Sequence, residues 1–286
     1  MKLPATNILE TIECISWNEF KQKLPSIESK CIKLADNTTF TPMAAYFRGQ
    51  ADAKWELKTT LERETHFELY SSCKDYISLL NKIDGAIKSI HPESPKFDYK
   101  NHLDKSHMLF SNNDLLEYFA FVRHLGFPSP LLDWSRSPYV AAFFAFNTCD
   151  PTAVSNVAIY VLYNNSVLTH EQTSGIRGTT FLFIGEYLRT HKRHYIQQSN
   201  YTLALESSLT KDNATYKLSS EKFVPYIKTF ECDNSRNYLK KYILPSSERN
   251  IALKDLDKMN INSFSLYESD EALMKTLFNR EVLFKD

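Results

Sequence analysis

Two charged residues in apolar surroundings are the best candidates for chemistry in this sequence. Arg48 ends the apolar segment Met43–Gln50, and Asp133 lies between Leu132 and Trp134. A guanidinium or a carboxylate in such a setting must be paired or must face a cleft that holds a ligand. Arg48 therefore either closes a buried ion pair with Asp133 or forks onto a phosphate or ribose. Asp133 either ties down the N-terminus of the following helix or pairs with Arg48. An ion pair between the two would make Arg48 and Asp133 neighbours across a cleft.

The chain just after Asp133 offers a second place for a ligand. Ser135 precedes the predicted helix Tyr139–Asn147. The N-terminus of a helix carries partial positive charge and suits a phosphate or a nucleotide ribose. A simple turn hydroxyl is the alternative for Ser135.

A basic segment, Leu188–Tyr201, adds further candidates and ends in Gln197 and Gln198. It is either a solvated face or a contact for an anionic ligand, in which case the Gln amides bond sugar hydroxyls. The same segment contains the closest histidine pair, His191-x-x-His194. No carboxylate or thiolate is placed to complete a metal site there, so we expect no metal.

Composition excludes several classes of protein. The 286 residues include 34 Lys+Arg and 34 Asp+Glu, so the formal net charge is zero and a broad nucleic-acid coat is not expected. Only 6 residues are Gly, and neither G-x-G-x-x-G nor a P-loop occurs, which excludes glycine-rich phosphate loops. The absence of G-x-S-x-G argues against a serine hydrolase of the elbow type.

The sequence also predicts where the protein works. The N-terminal sequence does not resemble a signal peptide. The longest strongly apolar stretch, Tyr139–Phe146, is far shorter than the ~20 residues of a membrane span. The 5 Cys are widely spaced and form no C-x-x-C, which is typical of reduced thiols. We therefore expect a soluble cytoplasmic protein with no membrane partner.

Strand and helix patterns alternate irregularly along the chain, which predicts an α+β fold. Ser16 with Glu19 predicts a capping box, and Ser137 followed by Pro138 predicts the start of a buried helix. The patterns predict strands at Met43–Gln50, Leu131–Trp134, Val157–Tyr163, Tyr201–Glu206, Phe223–Phe230 and Tyr242–Pro245. They predict helices at Ser16–Leu24, Glu68–Ile90, Asn112–Leu125, Tyr139–Asn147, Ser246–Met259 and Ser269–Phe278.

Three blocks of this sequence, in this order, resemble the FRG domain family, which is named for a Phe-Arg-Gly motif. The first is Tyr46–Gln50 (YFRGQ), and the second, more specific block is Arg123–Pro138 (RHLGFPSPLLDWSRSP). The third is the weaker pattern within Arg193–Tyr201. The resemblance covers residues 40–284. It implies an N-terminal helical extension over residues 1–40, packed on an FRG domain that spans residues 41–286.

Three positions depart from the family pattern. Arg123 stands where the family usually has Gln, and Ser129-Pro130 replaces Thr-Arg. The loss of that Arg is expected to remove a basic group beside Asp133. Ser199 replaces Gly, which would restrict the backbone if this position needs a positive φ.

The FRG pattern is in turn similar to the Arg-Ser-Glu class of ADP-ribosyltransferases. That resemblance implies a split antiparallel β-sandwich surrounded by helices, with NAD as substrate. It implies that Arg48 holds a phosphate or the nicotinamide ribose and that Ser135 orders the first strand of the pocket. The Gln197-Gln198 segment, or Glu206, is offered for the Glu of the class. A Gln supplies no negative charge, and Asp133 is the alternative source of charge. The residues that would bind the nucleotide are Tyr46, Gly49, Gln50, His124, Trp134, Arg193, Gln198 and Tyr201.

Three functions remain open on the sequence alone. The first is an NAD-consuming enzyme, either an ADP-ribosyltransferase or an NAD glycohydrolase, that serves as a toxin or an anti-phage defence effector. The second is a non-catalytic module that binds a nucleotide or a nucleic-acid end in the same cleft. The third is an interaction scaffold in which Arg48 and Asp133 form a structural bridge.

Overall fold

The computed structural model describes the chain in nine ranges, and every structural statement below concerns these residues. They are residues 9–33, 40–64, 66–99, 113–150, 155–164, 178–185, 188–212, 215–226 and 238–285.

Eight strands form one large, mostly antiparallel sheet in the order β1-β10-β6-β4-β5-β8-β7, with β9 paired to β8. Among the described strands of this sheet, β1 and β10 alone pair in parallel. A separate two-stranded sheet joins β2 and β3. The strands are β1 Leu9–Glu13, β2 Cys31–Lys33, β3 Phe40–Pro42, β4 Ala44–Gln50, β5 Leu131–Ser135, β6 Asn156–Asn164, β7 Gly178–Ile184, β8 Ser199–Asp212, β9 Thr215–Phe223 and β10 Tyr238–Pro245.

The large sheet has two four-stranded halves. One contains β1, β10, β6 and β4, and the other contains β5, β8, β7 and β9. A single registered pair, Phe47 with Ser135, joins β4 of the first half to β5 of the second. The chain is thus a mixed fold of helices and a mostly antiparallel sheet. The finer expectation, a transferase-like sandwich, stays a prediction.

The helices begin largely where the sequence predicts. The Ser16 hydroxyl accepts a hydrogen bond from Glu19 N at 3.2 Å, and the Ser137 hydroxyl accepts one from Val140 N at 3.3 Å. The helices are α1 Trp17–Glu28, α2 Phe67–Tyr70, α3 Cys73–Ile90, α4 Asn113–His124, α5 Pro138–Asn147, α6 Arg193–Ile196, α7 Arg249–Lys258, α8 Ser263–Tyr267 and α9 Asp270–Phe278. A 3-10 turn, Ser246–Glu248, precedes α7, and a π turn, Asn279–Leu283, follows α9.

Two of the predicted elements are wrong in detail. The helix predicted over Glu68–Ile90 is interrupted between α2 and α3, where Ser72 makes a β-bridge to Lys222 of β9. Strand β9 ends at Phe223, so only the first residue of the strand predicted over Phe223–Phe230 lies in a strand. Residues 227–230 of that prediction lie outside the described residues.

Three hydrophobic clusters surround the sheet. One packs α1, α5 and α7 on the first half, and a second packs α3 and α4 on the other half. The third fills the opposite face of both halves and includes Leu132, Trp134, Tyr160 and Tyr226. Because side chains alternate along a strand, neighbouring residues of β4 and β5 belong to different clusters.

The N-terminal segment is part of the same core. Strand β1 extends the large sheet beside β10, and Trp17 and Phe20 of α1 are fully buried in the first cluster. The segment therefore contributes a strand as well as the expected helix. The division at residue 40 stays a prediction.

Gly49 is required by a close approach between β4 and α5. A Cβ atom at this position would lie 1.9 Å from the carbonyl oxygen of Ala141 and 2.6 Å from the amide nitrogen of Ala145. Both atoms belong to the backbone, so neither can move aside without displacing the helix. Gly49 thus fixes the distance between the strand that carries Arg48 and the helix behind it.

We expect Gly49→Ala to lower the free energy of unfolding by about 3 kcal/mol or more, because the added methyl group overlaps the α5 backbone. Gly85→Ala is the matched control. None of the described residues lies within 4 Å of a Cβ atom at Gly85 in α3, so Ala should raise the stability by up to about 1 kcal/mol. Urea denaturation followed by circular dichroism measures both changes. Equal stabilities of the two variants would contradict the packing described for Gly49.

Candidate functional site

Arg48 is a half-buried cation that lacks a carboxylate partner among the described residues. Its Nη1 donates a hydrogen bond to the backbone carbonyl of Asp133 at 2.9 Å. Its Nε is fully buried and has no partner within the described ranges. Burial lowers the pKa of the guanidinium to about 10, which leaves Arg48 protonated at neutral pH.

The Asp133 carboxylate pairs with Arg123 rather than with Arg48. Arg123 Nε and Nη2 donate to the two carboxylate oxygens in a bidentate arrangement, and Nη1 donates to the Thr60 hydroxyl at 2.9 Å. Burial disfavours both charges, but their mutual attraction outweighs it. The pKa of Asp133 is therefore below its usual value and that of Arg123 above it.

Arg123 corrects one expectation from the sequence. Pro130 was expected to remove a basic group from beside Asp133. Arg123, at the end of α4, supplies that group instead. The two departures from the family pattern thus compensate for each other in space, and reading them together would have indicated this pairing.

Arg48 and the Asp133 carboxylate are neighbours through the backbone, but they lie on opposite faces of the sheet. Phe47 is in register with Ser135, so both share one face with Asp133. Arg48, one residue after Phe47, points to the other face by strand alternation. Asp133 is in register with Tyr201, whose side chain belongs to the second hydrophobic cluster. We call this side of the sheet, on which α3 and α4 pack, the helix-covered face.

Gln50 shares the face of Arg48, two residues along β4, and is only 4% exposed. Its Nε2 donates to the carbonyl oxygen of Glu56 at 3.2 Å. Because a carbonyl can only accept, this contact fixes the orientation of the amide. Its Oε1 is buried and has no partner in the described part of the chain.

Ser135 is engaged in structure. Its hydroxyl donates to the carbonyl oxygen of Gln197 at 2.8 Å and accepts from Ser137 N at 3.0 Å. Arg136 N also donates to the carbonyl oxygen of Gln198. These bonds fasten the end of β5 to the turn before β8, so Ser135 orders this strand end.

Two polar side chains of the basic segment, Gln197 and Arg193, contact the backbone of α8. Gln197 Nε2 donates to the carbonyl oxygen of Leu266 at 3.0 Å. Arg193 Nε donates to that of Tyr267 at 3.3 Å, and its guanidinium lies over the Tyr267 ring. Gln198 is exposed, with φ of 49°. The positive φ of this turn is thus at Gln198, and Ser199 lies in β8 without that restriction.

Two aromatic candidates for nucleotide binding lie in the third hydrophobic cluster. Trp134 is buried, and its indole Nε1 donates to the Thr202 hydroxyl at 2.8 Å. Tyr46 is half-buried, and its ring centroid lies 5.7 Å from that of Phe183 on the other half of the sheet. Tyr46 is therefore the more accessible of the two.

His124, Tyr201 and His194 form a hydrogen-bonded array on the helix-covered face. The Tyr201 hydroxyl lies 2.8 Å from His124 Nε2 and 3.1 Å from His194 Nδ1. Burial lowers the pKa of His194, and a hydrogen bond from the ring to the backbone of Gly185 partly offsets that shift. The neutral ring therefore donates to Gly185 and accepts from the Tyr201 hydroxyl at Nδ1. Tyr201 then accepts from His124 Nε2–H. Burial lowers the pKa of His124 to about 4.

The candidate residues therefore divide into two groups. Arg48, Gln50, Tyr46 and Trp134 belong to one face of the sheet, and Asp133, Ser135, His124 and Tyr201 belong to the other. No group of three or more His, Cys, Asp or Glu side chains is arranged to hold a metal ion within the described ranges. No helix of the described chain is long and apolar enough to span a membrane.

The family comparison agrees with the first two motif blocks. The model of the FRG domain family matches residues 43–153. The match includes β4, β5 and α5 but not the third block around Arg193. No curated protein matches the chain, and no solved structure matches it.

Loss of the Arg123 charge should destabilise the fold in a pH-dependent way. Removing one partner of a fully buried pair costs about 3–5 kcal/mol. The Asp133 side chain is 41% exposed, so we expect Arg123→Gln to cost about 2 kcal/mol at pH 7. Because pairing lowers the pKa of Asp133 in the folded state, this stability is present above the unfolded pKa of about 3.9 and is lost as the pH falls through the folded value.

Urea denaturation at pH 7 and pH 3 measures this difference. Lys285→Gln is the control, because it breaks an exposed pair with Glu281 and should change stability by less than about 0.5 kcal/mol. A deficit for Arg123→Gln no larger than that of the control would contradict the role of the buried pair.

The histidine array predicts that stability rises with pH. In the unfolded chain the pKa of His124 is about 6.5, whereas in the folded protein it is about 4. The unfolded state therefore binds more protons between these values, and stability falls as the pH drops through that window. NMR titration should find the His124 ring neutral at pH 6, and His124→Gln should reduce the pH slope. Titration near 6.5 in the folded protein would refute the buried array.

Proposed function

We propose, from the premise that this chain carries an FRG domain, that the domain binds the sugar-phosphate part of a nucleotide such as NAD or ADP-ribose. One observation carries the proposal. Arg48 Nε, a buried donor, and Gln50 Oε1, a buried acceptor, are both unpartnered within the described ranges, and they lie on the same face of β4. A ligand that offers an anionic oxygen and a hydroxyl satisfies both atoms.

The free-energy cost of leaving these two buried atoms without hydrogen bonds supports this choice of ligand. A buried polar group without a partner costs roughly 1–3 kcal/mol. A guanidinium recognises phosphate through charged, directional hydrogen bonds, and an amide oxygen accepts from a ribose hydroxyl. The zero net charge of the chain favours a small nucleotide over a nucleic-acid strand.

Binding is favoured over cleavage of the glycosidic bond. That reaction needs a negative charge near the ribose in its oxocarbenium-like transition state. The Asp133 carboxylate is neutralised by Arg123, the Ser135 hydroxyl is engaged by backbone groups, and the Gln197 amide donates to the C-terminal helices. None of these groups is directed at the face that carries Arg48.

NAD consumption is the second candidate, and one observation favours it. The residue whose carbonyl Arg48 holds is Asp133, whose carboxylate is ionised at neutral pH because pairing with Arg123 outweighs burial. A rearrangement of that pair would bring a negative charge to the joint between the two halves of the sheet. The role as a toxin or defence effector, and the cytoplasmic location, stay predictions.

Calorimetry tests the proposed binding. We expect ADP-ribose and NAD to bind saturably, and Arg48→Ala to weaken binding about tenfold to a hundredfold because a charged hydrogen bond is lost. Arg280→Ala is the control for charge, since Arg280 pairs with Asp257 on the surface, and it should leave the Kd unchanged. Short oligonucleotides should bind no better than AMP.

Nicotinamide release in the same samples separates the two candidates. A binding module gives saturation without product. Product that is lost in Asp133→Asn and Arg48→Ala would favour NAD consumption instead. If neither NAD nor ADP-ribose binds, the proposed function is wrong.

A further inference from the structure

We infer that Trp55 is the residue that recognises the ring of the ligand, so that a planar base or nicotinamide stacks on the indole while Arg48 and Gln50 hold the sugar phosphate. The inference rests on the proposed function and deepens it, because it assigns the chemical class of the group beyond the sugar. Adenine and nicotinamide are both planar aromatic rings that can stack on an indole.

Trp55 differs in exposure from the other tryptophans of the chain. Its exposed fraction is 53%, whereas Trp17 and Trp134 are 0% and 2% exposed. Large aromatic side chains usually bury most of their surface, and each exposed apolar ring forgoes stabilisation of the fold. An exposed indole beside a candidate ligand site is suited to stacking.

The backbone on both sides of Trp55 is held in place. Trp55 N donates to the carbonyl oxygen of Asp52 at 3.2 Å, and the Tyr160 hydroxyl donates to the carbonyl oxygen of Trp55 at 3.2 Å. Two residues later, Leu57 is fully buried in the third hydrophobic cluster. A ring presented on a fastened loop loses little conformational entropy when a ligand stacks on it.

The same contacts bring the loop to the face that carries Arg48. Tyr160 is in register with Arg48 on the neighbouring strand β6. Gln50 Nε2 donates to the carbonyl oxygen of Glu56, the residue next to Trp55. Burial raises the pKa of Tyr160 to about 12, and the charges of Arg48 and Glu56 both act on its hydroxyl. Gln50 and Tyr160 thus connect the loop directly to the strand of the candidate site.

Stacking on an aromatic side chain tolerates different rings, because every base has a π-face. Three ligands therefore separate the ring from the sugar phosphate. Ribose 5-phosphate lacks a base, AMP carries adenine, and nicotinamide mononucleotide carries nicotinamide. We expect Trp55→Ala to weaken AMP or nicotinamide mononucleotide, or both, about tenfold and to change ribose 5-phosphate by less than about twofold.

Two variants control for folding and for loss of an exposed ring. Trp55→Phe keeps an aromatic face and should retain most of the affinity for the ring-bearing ligands. Tyr195→Ala removes another exposed ring, on α6, and should leave all three affinities unchanged. Trp55 is also its own reporter, because acrylamide should quench its fluorescence far more than that of the buried Trp17 and Trp134. Saturation with the preferred mononucleotide should protect Trp55 from quenching.

The outcomes separate this inference from the proposed function. Binding of ribose 5-phosphate that depends on Arg48, with equal loss for all three ligands or no loss in Trp55→Ala, would overturn the role of Trp55 alone. Failure of ribose 5-phosphate, AMP and nicotinamide mononucleotide to bind while ADP-ribose binds would overturn the role of Trp55 alone, and failure of NAD and ADP-ribose as well would overturn the proposed function with it. A loss confined to one of the two ring-bearing ligands supports the inference and identifies the ring.

Discussion

Asp133 holds an arginine on each face of the sheet, and the character of the candidate site depends on this arrangement. Its carbonyl oxygen accepts from Arg48, and its carboxylate pairs with Arg123. The negative charge of the Asp133 carboxylate is therefore neutralised by Arg123 on the helix-covered face. Arg48 receives only a backbone acceptor and keeps its positive charge in a half-buried position. A cation that is positioned but not neutralised is what an anionic ligand requires.

Four consecutive residues of strand β4 have different structural roles at the candidate site. Phe47 enters the core and forms the single registered pair between the two halves of the sheet. Gly49 lets α5 approach the backbone. Arg48 and Gln50 point to the other face, and each has one polar atom without a partner in the described part of the chain. The alternation of a strand therefore separates the residues that fix the site from those that face the ligand.

Local sequence signals predicted much of this fold. Ser137 and Pro138 fixed the start of α5, and the apolar runs identified β4, β5 and β6, because capping and strand alternation act over a few residues. The motif blocks also selected the segments that carry Arg48 and Asp133. The order of strands and the single pair between the two halves depend on contacts between distant residues, which local patterns do not contain.

The partners within the site were harder to predict for the same reason. Asp133 meets Arg123 because α4 ends above β5, and no spacing in the sequence encodes that position. The exposed position of Trp55 was not predicted, since its loop is held by contacts with Gln50 and Tyr160 on two different strands. The resemblance assigns Gln197 to the position of the class Glu, whereas its amide donates to the carbonyl oxygen of Leu266 in α8.

The most direct test of the central claim is proton–nitrogen NMR of the Arg48 Nε–H group, assigned with an Arg48→Lys variant. This atom is buried and has no partner among the described residues, so a phosphate that binds there must form a hydrogen bond to it or change its surroundings. A phosphate site at Arg48 predicts a saturable shift of this signal on addition of ADP-ribose, and a smaller or absent shift for the Nε–H of surface Arg280. An Arg48 signal that stays unchanged while ADP-ribose binds elsewhere on the protein would contradict it.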